Sequence, residues 1–320
     1  MKPVLVTTAI LAGTLLIASG YFYDIAIARG SKGFLENNPD LKGSTSSERD
    51  QEVKKDKKPP ERNHAQWLES KDYRIWQIES FDGLKLSAYF IPATTPSRRT
   101  VISAHGYTSN AKHMAQFARF FNEKLGFNVL LPDARGHGES EGDYIGFGWH
   151  ERKDYLHWID KVIDTLGSDS QIVLHGISMG GATVMMVSGE ELPFQVKAII
   201  EDCGYTSVDK ELSYQLKRMY HLPSFPLINT TSVVTSFKAG YNFYEASALK
   251  QIKKNQLPIL FIHGQVDTFV PTEMVYELYE ACTSEKDLYI VEGAGHGTAY
   301  ITDTPQYEKR VTEFLKEHLD

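Results

Sequence analysis

A serine, an aspartate and a histidine follow one another along the chain, each in a turn-prone stretch just after an apolar run. The serine lies in Gly176-Ile177-Ser178-Met179-Gly180, between the apolar run that starts at Ile172 and a helix-competent segment. This G-x-S-x-G spacing is that of a nucleophile elbow, a tight strand-to-helix turn that pushes a hydroxyl out at the top of a sheet. Glycine on either side removes the side chains that would collide across so sharp a turn. Asp267 follows the apolar run Ile259–Ile262 in His263-Gly264-Gln265-Val266-Asp267, with Asp202 as the fallback acid. His296 stands at the tip of Glu292-Gly293-Ala294-Gly295-His296-Gly297, after Leu288–Val291. Imidazole takes and returns a proton near neutrality, and glycines around it leave it little packing purpose. A nucleophile, a base and an orienting acid are the parts of an acyl-transfer site, which also needs N–H donors for the oxyanion. The backbone amides of Met179 and Tyr107 are the candidates for that hole. His105, just before Tyr107, reads as a structural ring bonded to backbone. The loop Pro132–Ser140 reads as architecture, with Asp133 and Arg135 paired.

Such groups converge only if strand ends bring them together. Short non-alternating apolar runs occur at Thr100–Ala104, Phe127–Leu131, Gln171–Leu174, Lys197–Ile200, Ile259–Ile262 and Leu288–Val291. Helical segments separate them, most clearly Trp149–Leu166, where Leu156, Ile159, Ile163 and Leu166 share a face. This alternation specifies a parallel sheet covered on both faces. Before it, Tyr73–Ser80 and Leu84–Ile91 alternate around Phe81-Asp82-Gly83 and predict an antiparallel hairpin. The expected sum is a mixed sheet of about eight strands, with its crevice at the strand ends. The connection from Asp202 to Pro258 is too long for one crossover. Its aromatic-rich part, about 205–250, predicts a short helical lid over an apolar pocket, although some of these aromatics would be plain core.

Of the 320 residues, 42% are hydrophobic and 23% charged, and the net charge of −7 argues against a nucleic-acid surface. No HExxH, CxxC pair, Walker or dinucleotide fingerprint is present, so no metal or nucleotide cofactor is expected. Cys203 and Cys282 are too few for a disulfide framework and read as free or buried thiols. Residues Val4 to Tyr23 carry no charge, and at about 1.5 Å per residue they reach across a hydrocarbon core. Residues 1–28 are therefore expected to form a single-pass membrane anchor. The competing reading is a cleaved signal peptide with Ala26-Ile27-Ala28 as the cleavage site. Either places the bulk of the chain outside the cytoplasm. Residues 29–66 read as a polar linker, including the basic run Lys54–Lys58, and 67–320 as the folded domain.

Together, His105-Gly106-Tyr107, the Asp133–Ser140 loop, Gly176–Gly180, His263–Asp267 and Gly295-His296 closely resemble the α/β-hydrolase superfamily. They stand in family order from Ile75 to the carboxyl terminus. The resemblance implies the α/β-hydrolase fold, a Ser178–His296–Asp267 triad and oxyanion amides from Tyr107 and Met179. Within the superfamily the chain is similar to membrane-anchored bacterial serine hydrolases, esterase-like proteins with a short lid. It departs from the dehalogenase and epoxide-hydrolase branches, which carry aspartate where Ser178 stands. It also carries Met179 where proline iminopeptidases have tryptophan. The activity implied is hydrolysis of a small-molecule ester with a short to medium apolar acyl chain, with no cofactor and no nucleic-acid partner. Acyl transfer or peptide cleavage by the same triad are the enzymatic alternatives, and a non-catalytic surface-binding module is the other class. The sequence does not assign an oligomeric state.

Overall fold

The computed structural model describes residues 2–35, 38–41 and 64–319, with backbone alone for 2–12. The basic run Lys54–Lys58 lies outside the described residues. The sheet contains eight strands in the order β1-β2-β4-β3-β5-β6-β7-β8. They are β1 (Arg74–Glu79), β2 (Lys85–Ile91), β3 (Arg99–Ala104), β4 (Asn128–Pro132), β5 (Gln171–Ile177), β6 (Val196–Asp202), β7 (Ile259–Gly264) and β8 (Lys286–Val291). β2 pairs antiparallel with β1 and β4, and every pairing from β4 through β8 is parallel. The Asp82-Gly83 turn works because Gly83 takes φ 85°, which a side chain resists.

Successive residues of a strand face opposite sides, and here both sides are dry. Ile102, Leu130, Leu174 and Ile199 enter one core with the helix Met179–Val187. Val101, Val129, Val173 and Ile200 enter the other with Phe117, Phe121, Tyr307 and Phe314. That is why the runs do not alternate. β5 lies between β3 and β6, so its carboxyl end opens at the middle of the rim. Both cysteines are free and buried.

The expected Asp133–Arg135 pair does not form. Arg135 is fully buried and grips Asp154 through two bonds of 2.8 and 2.7 Å and Asp82 through two of 2.8 and 3.1 Å. Asp133 instead accepts from the amides of Ala111 and Glu139 at 2.8 and 2.9 Å. A buried guanidinium needs carboxylates in its plane, while the short aspartate is better used on loop amides. The loop is thereby riveted to the hairpin and to the helix Glu151–Leu166.

The amino-terminal region departs furthest from expectation. A helix does span Lys2–Ala26, but among the described residues no helix is long and apolar enough to cross a membrane. The expected anchor finds no support there. The carboxyl half of this helix lies on protein: Ser19 Oγ is 2.6 Å from Thr230 Oγ1, and Tyr23 and Ile27 enter the core. Ala26-Ile27-Ala28 is built into the domain, since Ile27 is fully buried and its carbonyl accepts from Ile145 N at 2.8 Å. Arg29 donates to the carbonyls of Ser140 and Gly138 at 2.7 and 2.9 Å. Part of the segment read as linker is also docked. Leu35 and Leu41 are buried in short 3-10 turns, and Asp40 bonds Thr268 Oγ1 at 2.6 Å and pairs with Arg218.

Candidate active site

The elbow sets the geometry. Ser178 is held at φ 57°, ψ −116°, a conformation that costs backbone strain in a residue with a side chain. Its amide donates to Asp202 O at 2.8 Å. A Cβ on Gly176 would sit 2.1 Å from Gly180 O, and one on Gly180 would sit 2.1 Å from Ala104 O. The turn closes only because both positions lack side chains.

Three strand ends meet at this hydroxyl. His296 Nε2 lies 2.8 Å from Ser178 Oγ, and Nδ1 lies 2.8 Å from Asp267 Oδ2. The carboxylate accepts from Nδ1–H, which leaves Nε2 free to accept the serine proton. Asp267 cannot swing away, because its Oδ1 accepts from the amides of Phe269 and Val270, both at 2.9 Å. Burial would raise its pKa, but His296 and His263 outweigh this and hold the carboxyl well below the usual carboxylate range. The Phe269 ring packs 4.9 Å from the His296 ring. Asp202, the fallback acid, instead accepts from Tyr307 OH at 3.1 Å, and burial pushes it up to about 6. His296 bonds to Asp267, not to Asp202.

The amides of Met179 and Tyr107 have no acceptor among the described residues, and Tyr107 lines the pockets beside Ser178. Met179 opens its helix, where amide hydrogens are unpaired and the dipole favours an anion. His105 is structural in its geometry: Nδ1 donates to Gly106 O at 2.8 Å and Nε2 accepts from Ala134 N at 3.0 Å. Burial lowers its pKa to about 3, so it stays neutral.

Cys203 brings its sulfur within 4.8 Å of the nearest ligand atoms of Asp267 and His296. Those two groups are occupied with each other and with Ser178, and burial pushes the Cys203 thiol up, so it is not a ready thiolate ligand. The trio fits an acyl-transfer site better than a metal site.

Ser178 stands between two pockets. One has about 810 Å³ of empty space, its open mouth included, and a mostly apolar lining with Phe22, Ile27, Tyr205, Leu216 and Phe243. The other, on the His296 side, is more polar and includes Thr108, Ser109 and His113. Leu35 and Phe269 border both. The lid is thus two helices, Val208–Tyr220 and Leu227–Ala239, with the amino-terminal helix completing the wall. The aromatics of the insertion divide: Tyr205 and Phe243 are buried along the pocket, while Phe225 and Phe237 are exposed. Sequence reasoning missed the amino-terminal wall and a second histidine, His263, whose Nε2 lies 3.4 Å from Asp267 Oδ2 and donates to Val270 O at 3.0 Å. For His263 the four-residue spacing to Asp267 was an available signal; the wall had none.

An eight-stranded, mostly parallel sheet with a serine elbow at its centre and helices on both faces defines a class. The chain belongs to the α/β-hydrolase superfamily of serine hydrolases. The family model described as serine aminopeptidase, S33, matches residues 95–225. The uncharacterized protein YqkD of Bacillus subtilis is 32% identical over 256 residues, covering 74% of this chain and 82% of that protein. The solved Pyrococcus furiosus esterase Pf2001 superposes with a TM-score of 0.64 at 28% identity, over 78% of this chain and 93% of that one.

Proposed function

We propose that this hydrolase cleaves carboxylic esters through an acyl-enzyme formed on Ser178. His296 Nε2 takes the hydroxyl proton as Oγ attacks the ester carbonyl, and the Tyr107 and Met179 amides receive the oxyanion. His296 then gives the proton to the departing alcohol, which leaves toward the polar pocket that His296 lines. The acyl chain occupies the apolar pocket. A water activated by His296 attacks the acyl carbonyl, and Oγ regains its proton as the acid departs. Asp267 keeps the ring in its Nδ1–H form throughout. The observation that best supports this reading is His296 bonded at 2.8 Å to both Ser178 Oγ and Asp267 Oδ2. The similarity to the Pf2001 esterase supports the ester as the scissile group.

A fluorophosphonate is expected to label the protein covalently and Ser178→Ala to abolish the label. The same variant should lose on the order of 10⁶ in kcat on p-nitrophenyl esters. Labelling that persists in Ser178→Ala would overturn the assignment. The name of the matching family model favours amide cleavage as the second reading. Comparing aminoacyl p-nitroanilides with p-nitrophenyl esters of equal bulk separates the two. The uncharged run Val4–Tyr23 supports export, with the catalytic domain outside the cytoplasm. The burial of Ile27 supports retention of the segment. Protease accessibility on intact cells tests the location.

A further inference from the structure

The apolar pocket contains a polar defect that the proposed reaction does not use. Glu211 and Gln215 lie one turn apart on the first lid helix, Thr231 lies on the second, and all three line the pocket. They are 5%, 7% and 3% exposed. Gln215 Nε2 donates to Glu211 Oε1 at 2.8 Å and to Phe269 O at 2.7 Å. Three atoms are left over. Glu211 Oε2, Gln215 Oε1 and Thr231 Oγ1 are buried without a hydrogen-bond partner among the described residues. A buried polar atom without a partner costs free energy, so three on residues lining one pocket call for a ligand that satisfies them.

We propose that Glu211, Gln215 and Thr231 form a polar station that binds an uncharged hydroxyl on the acyl chain, making esters of hydroxylated carboxylic acids the preferred substrate class. This rests on the preceding reading for which half of the ester enters the apolar pocket. A hydroxyl is one donor and two acceptor sites, and the station presents the complement. Gln215 Oε1 accepts, Thr231 Oγ1 gives or takes, and Glu211 donates when protonated. Glu211 forms no ion pair among the described residues; burial, aided by the nearby Asp267 charge, pushes it up to about 8, so it carries its proton at neutral pH. A ligand ammonium would require an ionised Glu211 in a mostly apolar wall, which its burial opposes. A hydroxyl keeps every group neutral and replaces whatever water rests there.

The test is calorimetric binding to the Ser178→Ala protein, using hexanamide and the set of monohydroxyhexanamide isomers that carry the hydroxyl at each chain carbon in turn. One isomer is expected to bind about tenfold tighter than hexanamide. That gain should disappear in the Glu211→Leu and Thr231→Val backgrounds and survive in Glu211→Gln, which keeps a donor and an acceptor. If Glu211→Leu does not fold, Thr231→Val carries the test alone. Equal binding of hexanamide and every isomer overturns the proposal, as does a gain untouched by Thr231→Val. Tighter binding of an amino-substituted hexanamide than of any hydroxylated one also overturns it. Because no turnover is measured, a failed esterase reading appears instead as absent fluorophosphonate labelling of the unmodified protein.

Discussion

The sheet rim and the cap above it treat buried polar groups in opposite ways. At the rim, Asp267 has two amides on one oxygen and His296 on the other, and it is held as an anion. In the cap, Glu211 is just as buried, yet one of its oxygens has no partner and burial pushes its pKa up. Burial alone decides neither outcome; the partners do. In the proposed reaction, the group that acts on every turnover is fixed from several sides. A group that must receive a ligand is left one bond short.

The largest predicted effect breaks this contrast from the rim. Asp267→Asn should preserve the fold but place the wrong tautomer at His296, lowering kcat by about 10⁴ on plain p-nitrophenyl esters. Glu211→Gln should change the same rate by less than about tenfold. Equal losses would mean that the two carboxyls do not differ in kind. Next is the rim's ionic rivet. Arg135→Met leaves Asp154 and Asp82 without their cation and should cost about 3–5 kcal/mol of stability, read by chemical denaturation. The folded fraction should keep its kcat, because the guanidinium touches neither pocket.

The third effect concerns pH. Glu211 has a folded pKa near 8 against a reference value of 4.5, so the native state keeps a proton that the unfolded chain has lost. Stability therefore falls as pH rises from about 4.5 to about 8, and the penalty is constant above that. In Glu211→Gln this part of the slope should vanish, so the variant gains on the unmodified protein across the window. Glu201, which burial also pushes up to about 8, supplies a parallel slope that both proteins share. Melting temperatures measured between pH 5 and 8 check the difference; parallel curves would place Glu211 among ionised carboxylates.

The same two regions explain how much was legible in the sequence. Each rim residue sits in a local pattern, an apolar run and then a glycine-rich turn, and strand order brings the turns together. Ser178, Asp267 and His296 could therefore be named, and the eight strands expected, without coordinates. The Arg135 partners could not, because Asp82 and Asp154 lie 53 and 19 residues away while Asp133 stands beside it. The cap was harder still. An uncharged run such as Val4–Tyr23 reads the same whether its apolar face meets lipid or protein, and Ser19 meets Thr230 across 211 positions. Glu211 and Gln215, one turn apart, look like any solvated pair on a helix. Only their burial marks them.

The smallest predicted effect asks whether the amino-terminal segment is a working part of the cap. Leu35 is buried and borders both pockets, which puts it between the sides we assign to the acyl chain and the leaving group. Leu35→Ala removes three carbons at this partition and should loosen it without reaching the triad. The rate on a short acetyl ester should barely move, because its acyl group does not extend to the wall. On longer chains KM should shift by less than about tenfold, which is under about 1.4 kcal/mol and at the low end for a methylene-scale change in an apolar pocket. The preferred acyl length should lengthen, since the chain gains room beside Phe22 and Phe34. An unchanged chain-length profile would make residues 38–41 a clasp holding the domain through Asp40, with no part in choosing the substrate.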